Sequence, residues 1–485
     1  MNNRTTNQLI LVLTLLSCLL LPIHFISAAN TPTSCLHNCY SPPADQPITQ
    51  TTKLTNNGAP RPHIIFITVD SLRPDHLSTN GYFRPTSLNL EANITLPGAN
   101  FTQATSTAAW TYPANAGVIT GRAPHNLNTD WTDPASTIPP SEQTLAEYLH
   151  DEGYYTAGFV SAYYVSPQLG FDQGFDQYQR LTPPEDDNSV RVTQLNETVS
   201  TWLDTEWSTT ISGTQPLFLN LYYYDPHSWY TPPAPYNIMY DDSYTGTLTG
   251  ETYAHGLPVI TGQITPTVRD LSYLHALYDG EITYWDDNMA PMFAQLDSLG
   301  LLQDSIIVLT SDHGQMFGEH DLWVHRNSAY EEVLRVPLMF RYTGTISPNL
   351  TITTPVQTTD ILPTILDLLE IPKPDNLDGQ SLLPLLQGTP FPDRSIYVKQ
   401  GADALSSPDY YAPDQAIYAI TQDNWKYIHH FGRPNLDELY YLAPVSPYET
   451  DNLITTDAHT AQTLRQQLMT YFNLNNNYLP ALQKP

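Results

Sequence analysis

Ile64-Ile65-Phe66-Ile67-Thr68-Val69-Asp70 is a short apolar, β-branched run that stops at an acid. Its lack of polar alternation is the pattern of a strand covered on both faces, as in a parallel sheet packed between helices. Two later runs behave alike. Leu217-Phe218-Leu219-Asn220-Leu221-Tyr222 leads into Asp225-Pro226-His227, and Ile306-Ile307-Val308-Leu309-Thr310 leads into Ser311-Asp312-His313-Gly314. Helical stretches such as 144–150 and 278–299 lie between the strands. The chain is therefore read as α/β, with a largely parallel central sheet flanked by helices. Open sheets of this kind bind ligands beyond the carboxyl ends of their strands, which is where Asp70, Asp225, His227, Asp312 and His313 fall. One acid after a strand is commonly a turn or cap residue. Three such clusters at one sheet edge point to a site.

Outward from this core, 61–393 reads as the main domain. After Arg394 the texture changes. Ile396-Tyr397-Val398 and Ala416-Ile417-Tyr418-Ala419-Ile420 are short β-like runs, and a helix is expected near 460–472. Residues 394–485 are read as a smaller α+β subdomain. Residues 30–60 are rich in Thr, Pro and Asn without hydrophobic period, the composition of a linker. Residues 1–29 carry Arg4, an apolar run from Leu9 to Ile26, and the small residues Ser27-Ala28-Ala29. This is the layout of a signal peptide and predicts export, with an uncleaved N-terminal anchor as the alternative.

The chain has 485 residues, 19 Lys and Arg against 49 Asp and Glu, and a formal net charge of -30. Such a field repels nucleic acid and anionic membranes, so neither is an expected partner. An anionic substrate then needs a local positive site. Of three cysteines, Cys18 falls in the signal, while Cys35 and Cys39 flank three residues just after it. In an exported chain that pair suits a small disulfide loop better than a two-ligand metal site. No cysteine remains for nucleophilic catalysis.

A hydroxyl takes that place in Trp110-Thr111-Tyr112-Pro113-Ala114-Asn115-Ala116-Gly117-Val118-Ile119-Thr120-Gly121-Arg122. Pro113 sits where a helix can begin, and free N–H groups at a helix start attract phosphoryl or sulfuryl oxygens. Thr111 is thus either a nucleophile beside an anion or a simple N-cap.

Read in order, Thr68-Val69-Asp70-Ser71-Leu72-Arg73-Pro74-Asp75-His76, the Thr111 segment, Asp225-Pro226-His227, Thr310-Ser311-Asp312-His313-Gly314, Gly318-Glu319-His320, Tyr330-Glu331-Glu332 and Arg335-Val336-Pro337 resemble the sulfatase family. Thr359-Asp360-Ile361-Leu362-Pro363-Thr364 and Trp425-Lys426-Tyr427-Ile428 extend the resemblance. It implies the alkaline-phosphatase superfamily fold, which also hosts phosphodiesterases and phosphonate hydrolases. It further implies one divalent metal ion held by Asp70, Asp312, His313 and the Thr111 oxygen. His227 is expected to contact the anion, and His325 to serve the leaving group as proton donor or clamp, with His320 a weaker candidate. Imidazole in the ligand set favours Mn or Zn, while the family leaves Ca open.

The departures matter. Family members carry a cysteine or serine that becomes an aldehyde hydrate, and Thr111 cannot supply that aldehyde. The family's arginine four residues later is Asn115, expected here to contact substrate. Its Gly-Lys-Trp-His segment appears as Ala162-Tyr163-Tyr164. With these sulfate contacts missing, the first expectation is a hydrolase of phosphate diesters or phosphonate esters that uses a Thr nucleophile. The second is a sulfuric ester hydrolase, and the third a non-catalytic metal- and anion-binding member of the fold. The substrate is expected to be a small or polymeric anionic ester, with loops such as 229–262 shaping the pocket.

Overall fold

The computed structural model describes residues 61–474 apart from 128, 130–136, 184–188, 214, 251–258, 260–262, 327, 402–415 and 443–447. The expected signal segment, the linker and the Cys35–Cys39 pair lie outside these residues.

The chain lays down β1 (His63–Val69), β2 (Ala99–Thr105), β3 (Tyr155–Val160), β4 (Gln177–Arg180), β5 (Leu217–Tyr223) and β6 (Ser305–Thr310). A short hairpin of β7 (Met316–Phe317) and β8 (Trp323–Val324) follows, then β9 (Arg335–Tyr342), β10 (Leu350–Ile352) and β11 (Val356–Gln357). The main sheet runs β10-β2-β9-β6-β1-β5-β3-β4, with β11 also on β2. β9 runs against both neighbours, and the other pairings are parallel. The fold class read from the sequence is the one observed.

Alternation along β1 explains its uniformly apolar sequence. Ile65 and Ile67 pack with Trp202, Leu277 and Trp285 on one face, while Ile64 and Phe66 join Leu149, Phe218 and Ile365 on the other. Both faces are covered by helices, so no position is free to be polar. Register then sets the site. Thr68 of β1 pairs with Tyr222 of β5 and Thr310 of β6, so the residues that follow all emerge at one edge.

The helix over Val268–Ser298 is ten residues longer at its start than the sequence reading of 278–299. Thr267 and Asp270 cap it reciprocally, with Thr267 Oγ1 accepting from the Asp270 N–H. A second sheet, β12 (Ile396–Gln400), β13 (Ile417–Gln422), β14 (Trp425–His430) and β15 (Glu438–Tyr441), is antiparallel throughout. Its residues Val398, Ile417, Ala419 and Ile428 pack with Met316, Val333 and Leu334, just beyond the functional edge of the main sheet. Among the described residues no helix is long and apolar enough to cross a membrane.

Candidate active site

Asp70 follows β1, and Asp312 and His313 follow β6. Each offers one ligand atom, all within 4.8 Å of one another, and all three side chains are buried. Ser71, next in chain, adopts a left-handed φ of 59°. Such a turn is uncommon for a residue with a Cβ and is held here by its surroundings. The Ser71 N–H donates to Asp312 Oδ1 at 3.3 Å, and its hydroxyl donates to Asp70 Oδ1 at 3.0 Å. Ser71 therefore ties the two acids together.

The remaining oxygen of Asp312 is held as firmly. Tyr222 donates to Oδ2 at 2.8 Å and Asn115 Nδ2 at 3.1 Å. Asn115 also donates to the Thr111 carbonyl at 2.8 Å. Asn115 thus faces the acid and the backbone of Thr111.

His313 Nδ1 lies 2.8 Å from the Gly314 carbonyl oxygen, which can only accept, so Nδ1 carries a proton and, in the neutral ring, Nε2 carries the lone pair. That Nε2 lies 3.6 Å from Asp70 Oδ1, 3.7 Å from Asp312 Oδ2 and 3.4 Å from Thr111 Oγ1. Burial, with the charge of Asp312 adding to it, pushes the Asp70 carboxyl up to about 8. Two buried carboxylates without a Lys or Arg partner among the described residues, joined by an imidazole lone pair, form a donor set for a divalent cation.

Thr111 is the first residue of the helix Thr111–Thr120, and Trp110 holds the cap position without a side-chain cap bond. The threonine is therefore not an N-cap. Its hydroxyl stands beside His313 at the open end of a helix, where backbone N–H groups favour an anion.

Two further imidazoles border this cluster. His325 packs 4.3 Å from His313 between ring centroids, and His227 lies 5.1 Å from His325. His227 Nδ1 faces the Ser228 carbonyl at 2.8 Å and His325 Nδ1 faces Gln315 Oε1 at 2.8 Å, so in each ring Nε2 is the open nitrogen. Burial draws His227 down to about 4, and burial followed by the neighbouring His313 and His227 holds His325 well below the usual range. Both shifts favour the neutral ring.

Two sequence candidates stand apart. Asp225 accepts from the Val192 N–H at 2.6 Å and pairs with Arg191 at 3.3 Å. It caps the helix Val192–Trp202 instead of joining the ligand cluster. His320 stacks on Tyr330 with centroids 3.8 Å apart and lies 3.5 Å from Glu332.

Tyr222, Gln315 and Ser106 were not singled out by the sequence. Ser106 donates to the Asp312 carbonyl, and Gln315 orients His325. The signal for Gln315 was its place two residues after His313. Tyr222 could have been found only through the β1–β5 register.

Residues 62–371 match the family model described as Sulfatase, and residues 318–474 match the C-terminal model of N-sulphoglucosamine sulphohydrolase. The ulvan-active sulfatase of Formosa agariphila is 25% identical over 429 residues, spanning 81% of this chain and 77% of that protein. Arylsulfatase K of Rattus norvegicus is 26% identical over 429 residues, spanning 78% and 74%. The solved phosphonate monoester hydrolase of Agrobacterium radiobacter has a TM-score of 0.68 at 21% identity, covering 86% of this chain and 96% of that one, and shares its fold. A family model that spans more than half of the chain, with relatives along most of its length, settles its placement: this protein belongs to the sulfatase family and is an ester hydrolase of the alkaline-phosphatase superfamily.

Proposed function

We propose that this protein hydrolyses phosphate diesters or phosphonate monoesters through Thr111. The observation that carries this reading is the placement of Thr111 Oγ1, 3.4 Å from His313 Nε2 at an uncapped helix start. A divalent ion held by Asp70, Asp312, His313 and the Thr111 oxygen, with Mn or Zn favoured by the imidazole, would acidify the hydroxyl and polarise a non-bridging oxygen of the substrate.

The chain's own residues do the rest. Thr111 Oγ1 bonds to phosphorus as the bond to the leaving oxygen breaks. The hydroxyl proton passes to the open Nε2 of His227 or His325 and on to that leaving oxygen. N–H groups of the helix start hold the developing charge. Water then attacks the phosphothreonine, releases the monoester or phosphonate, and restores the hydroxyl. A sulfated threonine lacks the second hydroxyl through which an aldehyde hydrate expels sulfate, which is why phosphorus is preferred. A monoanionic ester also suits a site with one cation position. Asn115 is proposed as a positioning residue for Asp312 and Thr111. Export through residues 1–29 is part of the same proposal.

The second reading, sulfuric ester hydrolysis, is favoured by the two relatives above, which are named as sulfatases. One assay separates the two. The purified chain, supplied in turn with Mn, Zn and Ca, is given bis(4-nitrophenyl) phosphate, 4-nitrophenyl phenylphosphonate, 4-nitrophenyl phosphate and 4-nitrophenyl sulfate. Leading rates on the diester and phosphonate, with an acid-quenched phosphoryl adduct on the Thr111 peptide, support the proposal. A leading rate on the sulfate, or a Thr111→Ala variant of undiminished rate, overturns it.

A further inference from the structure

Beside Thr111 the protein displays a row of two cations and three rings. The Arg326 guanidinium lies 4.8 Å from the Trp110 ring centroid and 5.2 Å from that of Tyr164. Tyr164 meets Tyr163 at 5.6 Å, and the Arg180 guanidinium lies 5.7 Å from the Tyr163 ring. The row begins at the residue before the nucleophile and ends at solvent, with Tyr163 52% and Tyr164 37% exposed. Large exposed rings in contact with guanidinium groups form a stacking surface of the kind that takes a sugar or aryl ring.

The placement of Arg326 is forced. Its φ is 82°, a left-handed conformation that costs a residue with a Cβ stability. Its N–H donates to the Ala109 carbonyl at 2.9 Å, while Gln400 of β12 donates to the Arg326 carbonyl at 3.0 Å and accepts from the Ala109 N–H at 2.9 Å. One glutamine thus clamps the strained residue to the segment that carries Thr111. The same guanidinium disfavours the charged forms of His227 and His325, which puts it within electrostatic reach of the site.

Charge adds a second argument. In a chain of net charge -30, arginines are mostly spent on carboxylates. Arg73, Arg84, Arg122, Arg191 and Arg335 are all ion-paired. Among the described residues, Arg180 makes no ion pair, and it stacks on an exposed ring at the rim of the site.

We propose that this row is a substrate subsite for a ring-bearing group that carries a second negative charge beyond the reacting phosphorus. The inference rests on the assignment of Thr111 as nucleophile. An in-line displacement expels its leaving group on the side opposite Thr111, so a surface flanking the nucleophile meets the substituent that stays on phosphorus. The subsite selects that retained group, a uronate-like or carboxyaryl ring, with the stacking on Tyr163 and Tyr164 and the charge met by Arg326 and Arg180.

The test compares kcat/KM for 4-nitrophenyl phenylphosphonate and 4-nitrophenyl 4-carboxyphenylphosphonate, which share one leaving group. The carboxylated ester is expected to be preferred about tenfold at low salt, against the protein's overall charge, with the preference collapsing in 0.5 M NaCl as roughly expected from screening. Arg180→Gln and Arg326→Gln should each lower that ratio several-fold, and Arg180→Lys should keep part of it. If Arg326→Gln does not fold, the partly exposed Arg180 carries the test. A wild-type ratio of one or below, or a ratio untouched by the Arg180 variants, overturns the subsite. Activity that survives Thr111→Ala overturns the nucleophile and leaves the ratio to be read independently.

Discussion

His313 Nδ1 donates to the Gly314 carbonyl at 2.8 Å, and this bond turns the Nε2 lone pair toward Asp70, Asp312 and Thr111. Metal-binding histidines are oriented by such a bond on the far nitrogen. The arrangement predicts opposite effects of one substitution on stability and activity. Asp70→Asn removes the buried acid whose ionisation burial and the charge of Asp312 oppose, so at pH 7.5 the metal-free variant should melt higher than the metal-free wild type. Its rate should fall at least about 1000-fold, and added Mn or Zn should no longer raise Tm. Thermal unfolding with and without EDTA, run beside the diester assay, measures both. A chelated wild type that keeps its full rate would remove the metal from the mechanism.

Asn115 and Tyr222 share one acceptor, Asp312 Oδ2. Asn115→Ala and Tyr222→Phe should each weaken metal affinity by about 10- to 100-fold, as is typical of groups that hold a ligand in place. The double variant should lose less than the product of the two, because both act on one oxygen. Titration calorimetry gives the affinities. Should Asn115→Ala instead raise KM with metal affinity intact, Asn115 contacts substrate and is not a positioning residue.

The strands β1, β5 and β6 were legible because burial on both faces leaves no polar position, and the acids after them were legible because a parallel sheet gathers such ends. The same pattern does not assign a role to Asp225. Nothing in Asp225-Pro226-His227 separates it from Ser311-Asp312-His313, but the fold brings Arg191 and the Val192 N–H to this acid. The start of the helix Val268–Ser298 was missed because Val268 is exposed and its first turns are largely polar, although the Thr267–Asp270 cap marks the true beginning. Tyr222 and Arg326 are invisible in one dimension. The first is one of three consecutive tyrosines at a strand's end, and the second gains its role from a φ of 82° and rings more than 160 positions away in the chain.

His63 gives a pH dependence of stability away from the site. Its Nδ1 accepts the Leu217 N–H at 2.9 Å, and burial lowers its pKa to about 4. An unfolded histidine takes its proton near 6.5, so the folded protein refuses a proton that the unfolded chain accepts between 6.5 and about 4. Stability from this residue is complete above 6.5 and is lost as pH falls through that window. His63→Asn can keep an acceptor for Leu217 without a titrating ring. Between pH 7.5 and pH 5 the wild type should lose about 2 kcal/mol more than this variant in urea unfolding. Parallel pH profiles would show that His63 is protonated in the folded state.

Lys426 links the second sheet to the catalytic edge. It is 1% exposed, and its Nζ lies 2.7 Å from both Glu331 Oε1 and Glu449 Oε1. Glu331 retains Arg335 as a second partner, whereas Glu449 has no second Lys or Arg partner among the described residues, only the His320 ring nearby. Lys426→Met should therefore cost about 3 to 5 kcal/mol, the range for stranding a buried charge. Burial, despite Lys426, already pushes Glu449 up to about 7. Without the lysine its carboxyl should take a proton more readily still, so the deficit should shrink as pH falls from 8 to 5 and nearly vanish in Lys426→Met/Glu449→Gln. The effect should also reach the active site. Glu331 leads into Glu332 and Val333, whose carbonyls accept the Gln315 and Gly314 N–H groups at 2.9 Å and so fix the loop that carries His313. Lys426→Met is expected to weaken metal affinity along with stability, and the double variant to restore both. A deficit equal at pH 5 and pH 8 would mean that packing, and not charge, is what Lys426 supplies.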